Sequence, residues 1–191
     1  MKPTLVALAA AGLLFSAAPA LAQSSMSGSM SGTMRDPMVG GAAMYPSKNI
    51  VQNAMNSKDH TTLVSLVKKA GLVQTLEGPG PFTVFAPTNQ AFAMLPTATV
   101  DKVTANDALL KEVLTYHVVP GRITTADLEQ MIKDGNGTAH LKTVEGQDLT
   151  ATMDGSKIAL RGAGGGTAEI TVPNVYQSNG VIQVVNGVLM P

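Results

Sequence analysis

Residues 81–95 read PFTVFAPTNQAFAML and carry three of the four phenylalanines of a chain that is only 4% aromatic. Aromatic and β-branched residues at the start of this segment suit a buried strand, and Pro87 ends the strand because proline has no N–H for a sheet ladder. Thr88 then stands where a helix N-cap belongs, and Phe92 and Leu95 follow at helical spacing. We therefore expect a strand–turn–helix unit at the centre of the core, since large apolar side chains dominate core energetics.

The composition limits the classes of function. A length of 191 residues fits one domain with a leader, or at most two small domains, and a hydrophobic content of 45% is enough for a core. The chain has no cysteine, which excludes disulfides, thiolate metal sites and thiol catalysis. Its formal net charge is +0, so no global charge attracts it to nucleic acid.

The N-terminus has the pattern of a secretory signal peptide. Lys2 is followed by an apolar run at 5–18 and by a small-x-small cleavage site at 20–22. We expect residues 1–22 to be removed by a cut after Ala22, leaving a secreted or periplasmic protein without a transmembrane segment. An uncleaved membrane anchor is the less favoured alternative, because the apolar run is shorter than the roughly 20 residues of a spanning helix.

Residues 23–44 are rich in serine and glycine and predict a flexible linker before a folded domain at 45–191. Four methionines recur there at intervals of four residues: Met26, Met30, Met34 and Met38. They are interpreted either as a thioether site for Cu(I) or as a repeat-prone linker. The second interpretation is favoured, because no histidine accompanies them and the segment has no fixed geometry. No cofactor is therefore expected.

Helical periodicity in the first half of the domain gives way to period-two alternation in the second. Helices are predicted to begin near Ser47, His60, Thr104 and Thr124, the last two with an aspartate at capping-box spacing. Strands are predicted at 139–141, 149–153, 158–160, 170–172 and 181–185, with a hairpin turn at Asp154-Gly155. Helices lead and strands follow, which indicates the α+β class.

No local motif indicates catalysis. The chain has no GxSxG, no HExxH and no acidic pair at fixed spacing, and its histidines are scattered at His60, His117 and His140. The glycine run at 162–166 lacks the lysine and hydroxyl of a phosphate loop and predicts a mobile loop. We therefore expect no enzyme, although residues distant in sequence can converge in space.

His117 lies on the apolar stripe of a predicted helix, four residues after Val113. A lone histidine on such a face is more often a hydrogen-bonded core residue than a metal ligand or a base. We expect Tyr116 to direct its hydroxyl into the same internal network.

Three segments resemble the signatures of fasciclin-like domains, in the order found in that family. They are FTVFAPTNQAF at 82–92, the Tyr116-His117 pair before VVPG, and NGVIQVVNGVLMP at 179–191. The chain is similar to single-domain secreted bacterial fasciclin proteins over residues 45–191. The signature residues are Phe82, Phe85, Pro87, Thr88, Phe92, Tyr116, His117, Asn179, Gly180, Val181 and Ile182.

The resemblance implies an α+β fold, a β-sandwich or wedge of about seven strands with flanking helices. It also implies that the first and last signature segments form neighbouring central strands. The chain departs from the family at Gln183, where histidine is usual, and at Asn186, where aspartate is usual. Integrin-binding members carry an acid near the position of Asn174, and an amide is a poor substitute for a carboxylate at a cation.

The resemblance, together with the export signal, predicts a non-catalytic adhesion or interaction module at the cell surface or in the periplasm. Its expected partner is a cell-surface or matrix protein or a glycan, and biofilm formation is the expected process. The candidate contact residues are Pro120, Arg122, Asn174 and Tyr176, in the loops at 120–125 and 173–178. For Tyr176, packing in the core is the equally weighted alternative.

A second hypothesis is a carrier of an apolar ligand such as a carotenoid or lipid, since some fasciclin-like proteins bind carotenoids. Met94, Met131 and Met153 would then line the cavity, because methionine adapts to irregular surfaces. The alternative is that these residues only fill gaps in the core.

Overall fold

The computed structural model describes residues 36–191, so the predicted signal peptide and three of the four linker methionines lie outside the described range. The helices are α1 (Ile50–Ala54), α2 (Thr61–Lys69), α3 (Val73–Leu76), α4 (Asn89–Ala93), α5 (Thr97–Ala105), α6 (Asp107–Tyr116) and α7 (Thr125–Asp134), with a 3₁₀ turn at Lys58–His60. The strands are β1 (Met38–Val39), β2 (Ala42–Ala43), β3 (Phe82–Pro87), β4 (Val118–Pro120), β5 (Thr138–Lys142), β6 (Asp148–Asp154), β7 (Lys157–Arg161), β8 (Thr167–Gln177) and β9 (Gly180–Val185).

A seven-stranded sheet organises the domain in the order β4-β3-β9-β8-β7-β6-β5. Strands β3 and β9 run parallel, with Phe82 opposite Gly180 and Pro87 opposite Val185, and the other pairs are antiparallel. The two ends of the sheet approach each other, since the amide that follows β5 at Val144 donates to the carbonyl of Val118 at 2.8 Å. The sheet is therefore nearly closed into a barrel. The predicted α+β class, the seven strands and the adjacency of the two signature strands are confirmed.

Strand β3 is buried on both faces because successive side chains of a strand point to opposite sides. Phe85 is fully buried in the core enclosed by the sheet, whereas Val84 and Ala86 face the core beneath the helices. All six residues of β9 are buried as well. These two strands therefore separate an inner core from a helix-side core, which explains why both read as almost continuous apolar runs.

Polar side chains set the starts of several helices. Asn49, rather than the predicted Ser47, caps α1 and forms a capping box with Gln52. Thr88 caps α4 as predicted, because its hydroxyl accepts from the amide of Ala91 at 3.3 Å. Thr124 and Asp127 form the predicted capping box of α7.

The predicted helix start at Thr104 is wrong. Thr104 lies inside α5, where its hydroxyl donates to the carbonyl of Val100 at 2.8 Å. Asn106 caps α6 instead, accepting from the amides of Ala108 and Leu109 at 3.0 and 3.2 Å. Short polar side chains can serve in the last turn of one helix or cap the next, so spacing alone did not distinguish them. The sequence pattern missed α5 because its threonines and valines have low helix propensity.

The packed region begins before the predicted boundary at Tyr45. Strands β1 and β2 form a short hairpin, and Val39 and Met44 are buried in the helix-side core, Met44 being only 1% exposed. Gly40 has a φ of +58°, and a Cβ at this position would lie 2.4 Å from the hydroxyl of Ser57. Residues 38–44 thus pack as part of the domain rather than as linker.

The glycine run at 162–166 is held against the C-terminus, which contradicts the predicted mobile loop. The amide of Gly164 donates to the carbonyl of Met190 at 3.0 Å, and Gly162 donates to Gly166 at 2.7 Å. A Cβ at Gly162 would lie 2.3 Å from the carbonyl oxygen of Met190. The glycines are there because only a residue without a Cβ allows this close approach.

Candidate interaction surface

Two loops meet at one end of the sheet, and we call this region the rim (residues 120–125 and 173–178). The first loop is held by buried Thr83, whose hydroxyl donates to the carbonyl of Gly121 at 2.7 Å and accepts from the amide of Ile123 at 2.8 Å. A single hydroxyl therefore anchors both sides of the turn that follows β4.

The second loop is a bulged part of β8 centred on Asn174. Its φ of +55° is left-handed, a conformation that asparagine tolerates. The side-chain oxygen of Asn174 accepts from the amide of Thr125 at 2.9 Å, and its Nδ2 donates to the Thr125 hydroxyl at 2.8 Å. These bonds join the two loops, so the rim is a single structured surface.

Gln183 supports the rim from beneath. Its Oε1 accepts from the amide of Asn174 at 2.9 Å, and its Nε2 donates to the carbonyl of Ile123 at 3.2 Å. The side chain is fully buried. An amide supplies both a donor and an acceptor here, so glutamine satisfies the buried groups of both loops.

Three of the four predicted contact residues are exposed at the rim: Pro120, Arg122 and Tyr176. Tyr176 is 43% exposed, which excludes its alternative placement in the core. The guanidinium of Arg122 lies 3.4 Å from the carbonyl of Gln177. Asn174 is half-buried with its amide bonded internally, so the structure brings it to the same place in a positioning role. That these residues contact a partner stays a prediction.

His117 joins α6 to the C-terminal segment inside the domain. A carbonyl can only accept, so Nδ1 donates to the carbonyl of Val113 at 2.7 Å, and Nε2 accepts from the amide of Leu189 at 3.0 Å. Burial lowers the pKa of His117 to about 4. The imidazole is therefore neutral at pH 7 with both nitrogens bonded to main chain.

Tyr116 points into the inner core rather than towards His117. Its hydroxyl donates to the carbonyl of Asp148 at 2.9 Å and accepts from the amide of Ala163 at 3.0 Å. The expectation of one shared network is wrong, because adjacent residues at the end of α6 project into different cores.

Buried amides form a junction that sequence reasoning missed. Asn179 accepts from the amide of Ile50 at 3.0 Å and donates to the carbonyl of Leu76 at 2.8 Å, which ties β9 to two helices. Nearby, Asn53 donates to Gln177 and to the carbonyl of Tyr45. The sequence signal was weak, since Asn179-Gly180 also has the pattern of an ordinary turn.

The other signature residues build the core around these groups. Phe85, Val181 and Ile182 are buried, Phe82 and Phe92 are half-buried against the helix-side core, and buried Pro87 ends β3. Gly180 approaches Phe82 so closely that a Cβ would lie 2.0 Å from its carbonyl oxygen.

The enclosed cavities of the domain are small, and a wider space of about 590 Å³ is an open groove whose lining includes Met94, Glu169 and Asn186. Two apolar cavities on the helix side have volumes of about 40 and about 20 Å³. Met94, Met131 and Met153 are exposed, Met94 to 79%, so they line neither cavity. The prediction that they line an internal apolar cavity is therefore wrong for Met131 and Met153, whereas Met94 lines the open groove.

Among residues 36–191, no group of three acidic, histidine or cysteine side chains is placed to hold a metal ion. Within the same range, no helix is long and apolar enough to cross a bilayer.

Comparison with known sequences finds similarity over most of the chain. The family model for the Fasciclin domain matches residues 58–191. Protein sll1483 of Synechocystis sp. is 37% identical over 164 residues, which cover 85% of this chain and 84% of the relative. Immunogenic protein MPB70 of Mycobacterium bovis is 32% identical over 85% of this chain and 73% of its own. Cell surface glycolipoprotein MPB83 of the same species is 32% identical over 86% of this chain and 64% of its own.

Among solved structures, the fold is similar to a FAS1 domain pair from the insect cell adhesion molecule fasciclin I. The TM-score is 0.63 at 15% sequence identity, with 76% of this chain covered. This chain spans about half of that solved chain, 52% of its length. The likeness shows the fold.

Proposed function

The chain belongs to the fasciclin domain family, and on this premise we propose that it is an exported, non-catalytic adhesion or interaction module at the cell surface or in the periplasm. Two proteins with similar sequence or fold are a cell surface glycolipoprotein and an insect cell adhesion molecule. The signal-peptide pattern at residues 1–22 supports export. The proposed partner is a surface or matrix protein or glycan, and the proposed process is attachment and biofilm formation.

The observation that carries this proposal is the construction of the rim. Internal hydrogen bonds through Thr83, Asn174 and Gln183 hold both loops, while Arg122 and Tyr176 extend into solvent. Arginine and tyrosine are enriched among the residues that dominate binding energy. A surface that is already ordered loses little conformational freedom when a partner binds.

The placement of His117 supports a non-catalytic role. Both ring nitrogens are bonded to main chain inside the domain, and the side chain is 2% exposed. A general base must come within hydrogen-bond reach of the proton that it removes. The function of this imidazole is instead to hold the C-terminal segment on α6.

The adhesion that we propose is not of the integrin type. Asn174 stands near the position of the acid in integrin-binding members, and its amide is bonded to Thr125. Recognition of a bound divalent cation needs a carboxylate oxygen.

The apolar-carrier alternative has weaker support. The internal cavities, of about 40 and 20 Å³, are far smaller than the roughly 300–1,000 Å³ of sites for small molecules. The groove of about 590 Å³ has that size, but it is open and its lining includes the polar side chains of Asp154, Glu169 and Asn186, which suit an apolar ligand poorly. Colour or lipid that co-purifies from the native host would nevertheless favour it.

Deletion and complementation test the proposed function. Cells that lack the gene are expected to attach and aggregate less, and the wild-type gene should restore both. A variant carrying Arg122→Ala and Tyr176→Ala should be exported at the same level without restoring attachment, whereas the control Met94→Ala should restore it. Attachment that is unchanged on deletion in several media would overturn the proposal.

A further inference from the structure

The N-terminal hairpin (residues 38–44) is a separate element packed on the domain. Its two strands pair with each other and form a sheet of their own, apart from the seven-stranded sheet. Val39 and Met44 are buried in the helix-side core, and the carbonyl of Gly40 accepts from the amide of Lys58 at 3.2 Å. A two-stranded hairpin has little stability of its own, so its docked state depends on the surface beneath it.

That surface contains a buried serine–histidine pair. The hydroxyl oxygen of Ser57 lies 2.8 Å from Nδ1 of His60, and both residues are buried. The hairpin covers Ser57 closely, since a Cβ at Gly40 would lie 2.4 Å from its hydroxyl oxygen. Val39 and Met44 share a cavity of about 10 Å³ with the pair. His60 therefore lies beneath the docked hairpin.

The second ring nitrogen of His60 is unpartnered. Within residues 36–191, Nε2 of His60 is the one buried side-chain nitrogen or oxygen without a hydrogen-bond partner. Burial lowers the pKa of His60, and the carbonyl of Ala86, which favours the charged ring without reaching hydrogen-bond geometry, opposes this effect only in part. A proton on the buried ring would place a charge in an apolar space, so the ring binds a proton readily only where water can reach it.

The charged groups near the cavity do not compensate a protonated ring. On the turn that carries His60, Lys58 and Asp59 are both exposed, and the Asp59 carboxylate favours the charged ring less than burial opposes it. Asp36, just before the hairpin, does not line the cavity. The residues that line it from α1, β3, β8 and β9 are all apolar: Ala54, Ala86, Val175, Ile182 and Val184.

We propose that protonation of His60 releases the N-terminal hairpin, which is docked at neutral pH and opens in acid. In the docked state the ring is neutral and bonded to Ser57, and in the open state water solvates the imidazolium. Opening bares the apolar surface that Val39 and Met44 cover. This conformational device goes beyond the proposed function, because it uses none of the rim residues.

The sign of the pH dependence follows from the burial of the ring. The docked ring has a lowered pKa, whereas the ring in the open state has the ordinary pKa of 6.5. Docking is therefore fully favoured above pH 6.5. Below it, the equilibrium constant for opening should rise by up to about tenfold for each unit of pH, until the docked ring also takes up the proton.

Oxidation by hydrogen peroxide tests this device through Met44. A thioether takes one oxygen atom from the peroxide to give the sulfoxide and water, and a buried thioether reacts only after it is exposed. Met38 of the same hairpin is 62% exposed, whereas Met44 is buried. Trypsin cuts after Arg35 and Lys48, so both methionines lie in one peptide of the quenched protein, and fragment masses give their rates separately.

Met38 should oxidise at similar rates at pH 7.5 and pH 5. Met44 should oxidise slowly at pH 7.5 and about tenfold faster, or more, at pH 5. Hydrogen exchange of β9 should stay slow at both pH values, which separates hairpin opening from unfolding of the domain. The proposal would be overturned if Met44 oxidised equally fast at both pH values, or if β9 lost its protection together with Met44.

Variants separate the ring from the packing. His60→Asn keeps an amide that can bond to Ser57 but does not titrate, so the oxidation of Met44 should lose most of its pH dependence. The control His140→Asn, at an exposed strand position, should keep the wild-type dependence. Val39→Ala weakens docking without touching the ring, so Met44 should oxidise faster at both pH values and remain faster in acid.

The two variants of the docked surface can each contradict the proposal. A wild-type pH dependence in His60→Asn would mean that another group controls release. Oxidation of Met44 that is independent of pH in Val39→Ala would mean that opening does not depend on the proton, and this second result does not require His60→Asn to fold.

Discussion

The contact of His117 with the C-terminal segment and the rim around Tyr176 are both built from polar and aromatic side chains. In the first these side chains are buried, and in the second some of them are exposed. Around His117, each ring nitrogen has a main-chain partner and the side chain is buried. At the rim, amide groups bond internally while Arg122 and Tyr176 extend into solvent. If the rim binds the proposed partner, stability and binding depend on different side chains, so mutation should separate the two.

The largest expected effect is in the inner core. Phe85→Ala should lower the free energy of unfolding by about 3–5 kcal/mol, because a fully buried ring is replaced by a cavity. Met94→Ala, on an exposed side chain, should change it by less than about 0.5 kcal/mol. Denaturant unfolding of both variants checks this, and a similar loss in both would contradict the assignment of the core.

The second-largest effect is expected from acid, which should weaken the contact of His117 with the C-terminal segment. The pKa of His117 is about 4 when folded and near 6.5 when unfolded, so at low pH the unfolded chain binds the proton more readily. The contribution of the neutral His117 to the free energy of unfolding is therefore fully present above pH 6.5. It is lost as the pH falls from 6.5 towards 4, by about 3 kcal/mol in all. Burial also lowers the pKa of His60, which adds a loss of the same sign.

Unfolding free energies measured across this pH range test the sign of the effect. His117→Ala should lower stability at pH 7 by about 1–3 kcal/mol through the lost bonds. Its remaining pH dependence should be shallower than that of wild type. An equally steep dependence in the variant would mean that another group titrates.

A smaller effect is expected at the amide junction. Asn179→Ala should cost about 1–3 kcal/mol, because buried main-chain groups of Ile50 and Leu76 would lose their partners. Asn56→Ala is the matched control, since its exposed amide bonds only to the carbonyl of Gln52. Thermal melts of the two variants should differ clearly, and equal melts would show that the junction contributes little.

The smallest effect on stability is expected at the rim. Tyr176→Ala should change the free energy of unfolding by less than about 0.5 kcal/mol and still reduce attachment. Tyr116→Ala, the same change at a fully buried ring, should cost about 3–5 kcal/mol. If Tyr176→Ala destabilised the domain as much, the rim would be part of the core and the comparison would fail.

Elements that depend on neighbouring residues were predictable. The strand at 82–87 with its cap at Thr88, the Thr124–Asp127 capping box and the Asp154-Gly155 hairpin all form as the local patterns indicate. Helix α5 was missed because its β-branched residues are held by packing of Val103 in the helix-side core rather than by propensity. The tightness of the glycine run at 162–166 was missed because its partner is the distant C-terminus.

The sequence by itself determined the α+β class and the two apolar strands β3 and β9, because periodicity and capping act over a few positions. It left open whether Tyr176 is exposed or packed in the core. Only the tertiary structure decided that Asn174 bonds to Thr125, 49 residues away, and that the buried side chain of Gln183 holds both loops from beneath. These contacts follow from sheet order and strand register, which depend on how the whole core packs. The candidate site is therefore a product of closing the sheet rather than of any one segment.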